Sequence, residues 1–144
     1  MLLEFGVDRS PAVRENTGGA YFGKKIEEDD YAEDTWAYST PEVERVARVA
    51  GVLAREHDPP LHVTSCDKAN VLATGRLWRR VVSETFAKDF PEIQLSHQLI
   101  DSAAILLMKN PRSFNGVLLT ENTYVNHSSC QGSQFRCGRG QNDI

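Results

Sequence analysis

The chain has 144 residues, 40% of them apolar and 25% charged, which suits one globular domain and argues against a two-domain cofactor enzyme within this length. A net charge of -4 offers no basic surface to a polyanion, so no nucleic-acid partner is expected. No run of about 18 apolar residues exists to cross a bilayer, and Met1-Leu2-Leu3-Glu4-Phe5-Gly6 lacks the pattern of a leader, so the expectation is a cytoplasmic protein with no membrane partner.

Residues 6–23 read as extended chain punctuated by Pro11 and the pair Gly18-Gly19. Proline removes a ladder donor, so the strand holding Pro11 is expected to be bulged or displaced to a sheet edge. The acidic run Glu27-Glu28-Asp29-Asp30, followed by Glu33-Asp34, reads as a solvated loop or arm because like charges resist packing. Its spacing matches no EF-hand. Ser39-Thr40-Pro41-Glu42 then carries the signals of a helix start, a hydroxyl cap, a proline in the first turn and a glutamate three residues on. Val43, Val46, Ala47, Ala50, Leu53 and Ala54 recur at helical spacing, predicting a helix over 41–56 that Asp58-Pro59-Pro60 stops.

Beyond it, residues 61–65 alternate as a strand, 74–88 place Leu77, Trp78, Val81, Val82 and Phe86 on one helical side, 93–99 read as a strand, 102–108 as a short helix and 117–119 as a buried strand. Strands alternating with helices imply a layered α/β domain over residues 1–120. Residues 121–144 are polar and show neither period, so they read as a tail that is poorly ordered or held by a partner. Cys66, Cys130 and Cys137 contain no CxxC and read as thiols, with Cys130 and Cys137 close enough to pair.

Three passages are more specific. Val13-Arg14-Glu15-Asn16-Thr17-Gly18-Gly19-Ala20-Tyr21-Phe22-Gly23 resembles the R-E-x-x-G-G-x-Y-F-G segment of 3-isopropylmalate dehydrogenases and their β-decarboxylating relatives. Asp67-Lys68-Ala69-Asn70-Val71-Leu72, with Leu77-Trp78-Arg79 after it, resembles their D-K-A-N-V-L and L-W-R segments. His97-Gln98-Leu99-Ile100-Asp101-Ser102-Ala103-Ala104, with Lys109-Asn110-Pro111, is similar to their H-x-x-x-D-x-A-A and N-P segment. Order and separations agree over roughly 6–122, and the fungal form of the family is the nearest.

The resemblance implies the family's smaller, dimer-forming domain. Its implied features are a homodimer with shared sites, an interlocking arm at 19–40, and helices 41–56 and 75–88 in or beside an interfacial bundle. It further implies that Arg14 binds a substrate carboxylate and that Tyr21 protonates an enol carbon. From the partner subunit, Lys68 would serve proton transfer at the substrate oxygen, Asn70 would lie near the nicotinamide, and Asp101 would help hold a divalent metal. Each residue also has a plainer reading: Tyr21 as strand core, Arg14 and Lys68 as surface charge, Asp101 as a helix cap, Asn70 as a turn residue.

Departures from the family decide the functional expectation. Its G-N-x-F-G-D-I-x-S-D/E pattern supplies two metal carboxylates, and by count Asn126 and Cys130 stand there in this chain. Asp101 with a neutral amide makes a poor site for a hard cation, and no glycine-rich dinucleotide fingerprint is present, so neither metal nor cofactor is expected. His127 and Cys130 are a weak alternative set for a softer metal. The leading reading is a homodimeric, non-redox enzyme of small-molecule, secondary-metabolite biosynthesis. Tyr21 and Lys68 would activate a carbonyl for isomerisation or a cyclisation such as an intramolecular Diels-Alder closure. A regulatory fragment that pairs with a full-length dehydrogenase is the alternative, and a non-functional remnant is the third reading.

Overall fold

A computed structural model describes residues 2–5 and 10–122. Strands β1 (Leu2–Phe5), β2 (Ser10–Arg14), β5 (Val63–Asp67), β6 (Leu95–Leu99) and β7 (Val117–Thr120) form one sheet in the order β1-β2-β7-β5-β6. β1 is antiparallel to β2, and the other pairings are parallel. Helices α1 (Thr40–Arg55) and α2 (Ala73–Asp89) cover one face, and α3 (Ile100–Lys109) covers the other.

Alternation along the strands sorts the core. Val13, Val63, Val117 and Leu119 meet Val43, Val46, Ala47, Ala50, Trp78, Val82 and Phe86 of α1 and α2. Ala12, Cys66 and Leu118 face Ala103 of α3 and Phe114. The apolar stripe foreseen over 41–56 is buried against α2 and the sheet. Arg48 and Arg55 pin this pairing, bonding Asp89 at 2.9 Å and Glu92 at 2.6 Å. The large apolar side chains left outermost on α3 are Ile105 and Met108.

Several boundaries differ from those expected, each for a local reason. The foreseen capping box forms, with the Ser39 backbone N–H donating to Glu42 at 2.7 Å. β5 begins two residues late because the Leu61 N–H closes the end of α1 on Ala54 O. β5 also runs on to Asp67, since a central strand is paired on both sides. β6 starts at Leu95 rather than at 93, because the Ile93 N–H turns back onto Phe90 O.

Pro11 neither bulges β2 nor sends it to an edge, which corrects the expectation drawn from it. β2 lies between β1 and β7, its register with β1 is unbroken, and pairing to β7 begins at Ala12, one residue past the proline. Of the two readings of the acidic run, the structure has an exposed arm: β3 (Lys25–Glu27) and β4 (Ala32–Asp34) make a hairpin with residues 28–31 in its turn and Lys25 and Asp34 paired at 3.2 Å. The tail beyond residue 122, with Asn126, His127, Cys130 and Cys137, lies outside the described residues. Among the described residues no helix is long and apolar enough to cross a membrane.

Candidate functional site

Four parallel strands place their carboxyl ends on one edge of the sheet. The chain moves outward from β5 to β6 through α2, then returns through α3 to β7 on the other side of β5. Strand order therefore reverses between β5 and β7, and in open α/β sheets ligands bind outside the carboxyl ends at such a reversal. Arg14 ends β2, Lys68 follows β5, Asn70 stands in the turn before α2, and Asp101 opens α3. Tyr21, 47% exposed, lies in the turn that leaves this edge after Gly19.

The structure joins two of these five directly. Lys68 Nζ donates to Asp101 Oδ1 at 2.7 Å. Asp101 therefore does not act as the cap of α3: the N-cap is Leu99, and the carboxylate stands in the first turn, where the helix dipole favours it. Arg14 is held elsewhere. Its Nε and Nη2 donate to Asn122 Oδ1 at 3.1 and 2.7 Å, and Nη2 also reaches Asn122 O at 2.8 Å. One edge of the guanidinium is thus filled by an amide where a ligand carboxylate was expected, while Nη1 makes no hydrogen bond among the described residues.

Neighbours not singled out from the sequence make this arrangement possible. Asp67, fully buried, takes Arg79 Nε and Nη2 at 2.8 and 2.9 Å and the Ala69 N–H at 3.0 Å, which fixes the turn carrying Lys68. The L-W-R segment is legible in these terms. Trp78 enters the core and donates to Ser65 Oγ at 3.1 Å, while Arg79, the next residue, neutralises Asp67.

Gly75 completes the support. A Cβ there would lie 2.6 Å from the Lys68 carbonyl carbon and 2.7 Å from Ala69 N, both backbone atoms. Gly75→Ala should therefore displace the Lys68 turn and cost about 1–3 kcal/mol, read as a lower urea midpoint at unchanged slope. An unchanged midpoint would show that the turn yields freely.

At or just past the strand ends stand three buried carboxylates, Asp67 as the last residue of β5 and Glu15 and Glu121 one residue beyond β2 and β7. Arg14 pairs across the sheet with Thr120 and Thr120 with Cys66, so the next residue on each strand forms this row. Glu15 accepts from Thr17, from the Gly18 N–H and from Arg45 of α1. Burial pushes its carboxyl upward, but these donors outweigh burial and hold it below the ordinary value. Glu121, in the centre, takes no arginine. Burial and then the nearby Asp67 push it up to about 7, against smaller opposing pulls from Trp36 and Lys68. Glu121 Oε1 and Trp36 Nε1 are both buried without a hydrogen-bond partner among the described residues. Cys66, pushed up to about 12 by burial, is an inert core thiol.

Within one chain the described residues do not assemble a site for a hard divalent cation. The Asp101 carboxylate carries an ammonium at 2.7 Å, and among the described residues no three His, Cys, Asp or Glu side chains are grouped to hold a metal.

Comparison with known proteins agrees with this architecture. The family model described as isocitrate/isopropylmalate dehydrogenase matches residues 11–138. The chain is 58% identical over 123 residues to 3-isopropylmalate dehydrogenase B of Aspergillus niger, covering 85% of this chain and 33% of the relative. It is 60% identical over 114 residues to 3-isopropylmalate dehydrogenase of Eremothecium gossypii, covering 78% and 31%. Among solved structures, isocitrate dehydrogenase from Methylococcus capsulatus superposes with a TM-score of 0.75 at 30% identity, covering 87% of this chain and 38% of that one. The chain thus spans about a third of the length of the curated relatives it matches. It belongs to the isocitrate/isopropylmalate dehydrogenase family.

Proposed function

We propose that the chain acts on a small carbonyl compound at the carboxyl edge of its parallel sheet, without redox chemistry, as a homodimer with shared sites. The observation that carries this reading is the Lys68–Asp101 pair at 2.7 Å beside the β5–β7 reversal. An ammonium fixed by a carboxylate presents its remaining N–H donors in a set direction. Such a donor lowers the barrier when negative charge develops on a carbonyl oxygen. Isomerisation through an enol, or a cyclisation such as an intramolecular Diels-Alder closure in secondary metabolism, needs this donor and correct positioning but no hydride acceptor.

In the shared site, Arg14 and Tyr21 of one protomer would meet Lys68, Asn70 and Asp101 of the other. Exposed Tyr21, Phe22 and Tyr31 around the hairpin, with Ile105 and Met108 on α3, are apolar surface that a second copy would cover. A chain that sediments as a monomer at micromolar concentration would contradict the shared site.

The chemical test uses a branched 2-oxo acid in deuterated buffer with no nicotinamide and no metal. The α-protons should wash out faster than in buffer alone, read by proton NMR, and exchange at the buffer rate would overturn the reading. The second reading, a regulatory fragment, draws support from the high identity to fungal dehydrogenases over one third of their length. Adding the chain to full-length 3-isopropylmalate dehydrogenase during refolding should then lower its activity in proportion, whereas the first reading leaves that activity unchanged.

A further inference from the structure

We propose that Glu121 is a proton-operated fastener for the root of the hairpin. Protonated, it lies buried against the Trp36–Tyr38 segment and holds that segment on the sheet edge. Ionised, it leaves the edge and carries residues 121–122 and the hairpin root with it.

The geometry supplies both states. Residues 121–122 are where the hairpin root is tied down: the Asn122 N–H donates to Tyr38 Oη at 3.1 Å, and its Nδ2 donates to Gly18 O at 2.8 Å. The Gly19 N–H closes the same root on Ala37 O at 3.2 Å, with Gly19 at φ 80°. A Cβ on Gly19 would lie 2.9 Å from Tyr38 Oη and 3.5 Å from both Trp36 Nε1 and Asn122 Cβ, so glycine lets these groups converge. Glu121 is 4% exposed at the centre of this junction.

The surrounding charges leave Glu121 without compensation. On the β2 side stands Glu15, neutralised by Arg45 of α1; beyond it, Arg14 is engaged by Asn122. On the β5 side stands Asp67, paired to Arg79 of α2, with His97 of β6 at 3.8 Å. Lys68 is near but already bonded to Asp101 of α3. Above lie Trp36 and Tyr38, and Glu42 at the start of α1 adds further negative field at Tyr38. A neutral carboxyl is tolerated in this surrounding. A carboxylate with no cation of its own between two acids is not, and the smallest motion that hydrates it is release of its own turn. The same motion withdraws Asn122 from Arg14 and frees the guanidinium edge.

The test is amide hydrogen exchange on the full chain from pH 5.5 to 8.5, corrected for the intrinsic rate. Protection at Gly19 and Asn122 should fall about tenfold per pH unit from pH 5.5 to about 7 and level off above that, because opening releases a proton only while the buried carboxyl still holds one. Amides of α2 should show no such slope. In Glu121→Gln, protection at both sites should stay high and flat. A flat profile in the unmodified chain would overturn the proposal, as would an undiminished slope in Glu121→Gln, which would assign the titration to His97 or another group. Should that variant fail to fold, the Glu121 carboxyl carbon resonance of the unmodified chain decides. Its titration midpoint must coincide with the pH at which the loss of protection levels off, and a different midpoint would overturn the proposal.

Discussion

Trp78→Ala should cost about 3–5 kcal/mol of stability, the largest loss expected from any single truncation in this chain. The indole is 1% exposed, packs at 5.7 Å from the Tyr38 ring centroid and donates to Ser65 Oγ. Alanine leaves a cavity beneath three strands and strands a buried hydroxyl as well. A domain of this size holds about 5–15 kcal/mol in all, so the melting temperature should drop by roughly 10–20 °C. Trp78→Phe refills most of the cavity and should recover more than half of the loss. Urea unfolding of both variants checks this, and a loss under about 1.5 kcal/mol for Trp78→Ala would show that α2 is anchored elsewhere.

Lys68→Met should reduce α-proton exchange of a 2-oxo acid by about 100-fold or more while moving the melting temperature by at most a few degrees. The separation of the two effects follows from exposure. The Lys68 and Asp101 side chains are 31% and 60% exposed, and an ion pair so placed is worth about 0–1 kcal/mol. Asp101→Asn keeps the shape and removes the charge, so Lys68 stays in reach with a looser orientation. Exchange should fall by roughly tenfold, an intermediate loss. Equal stability losses in both variants with unchanged exchange would make the pair structural.

How much of this was legible in the sequence depends on the range of the interactions. Helix α1 was readable almost to the residue, because its cap, its proline and its stripe are local signals in 39–55. The start of β5 was not, since Leu61 was claimed by Ala54 of the preceding helix through a contact that no alternation pattern encodes. Pro11 misled for a related reason: a ladder can begin one residue after a proline, and the partner strand decides where it begins.

Within the site, Lys68 and Asp101 were recognisable from their motifs, and the structure brings them together. The capture of Arg14 by Asn122 links residues 108 apart, which becomes visible only once β2 and β7 are neighbours. Glu121 was hidden more deeply. In sequence it reads as the first residue of the polar tail. Only the assembled sheet sets it between Glu15 and Asp67, each already holding an arginine from the helix above.

The central claim is that the carboxyl edge of the sheet receives a small carbonyl compound without metal or nicotinamide. A proton–nitrogen NMR titration of the full chain with a branched 2-oxo acid, in chelator and without nucleotide, tests it most directly. Saturable shifts should gather at Gly18, Lys68, Asp101 and Asn122, and disappear in Lys68→Met. Shifts confined to the outer faces of α1 and α2, or no shifts at millimolar ligand, would contradict the claim.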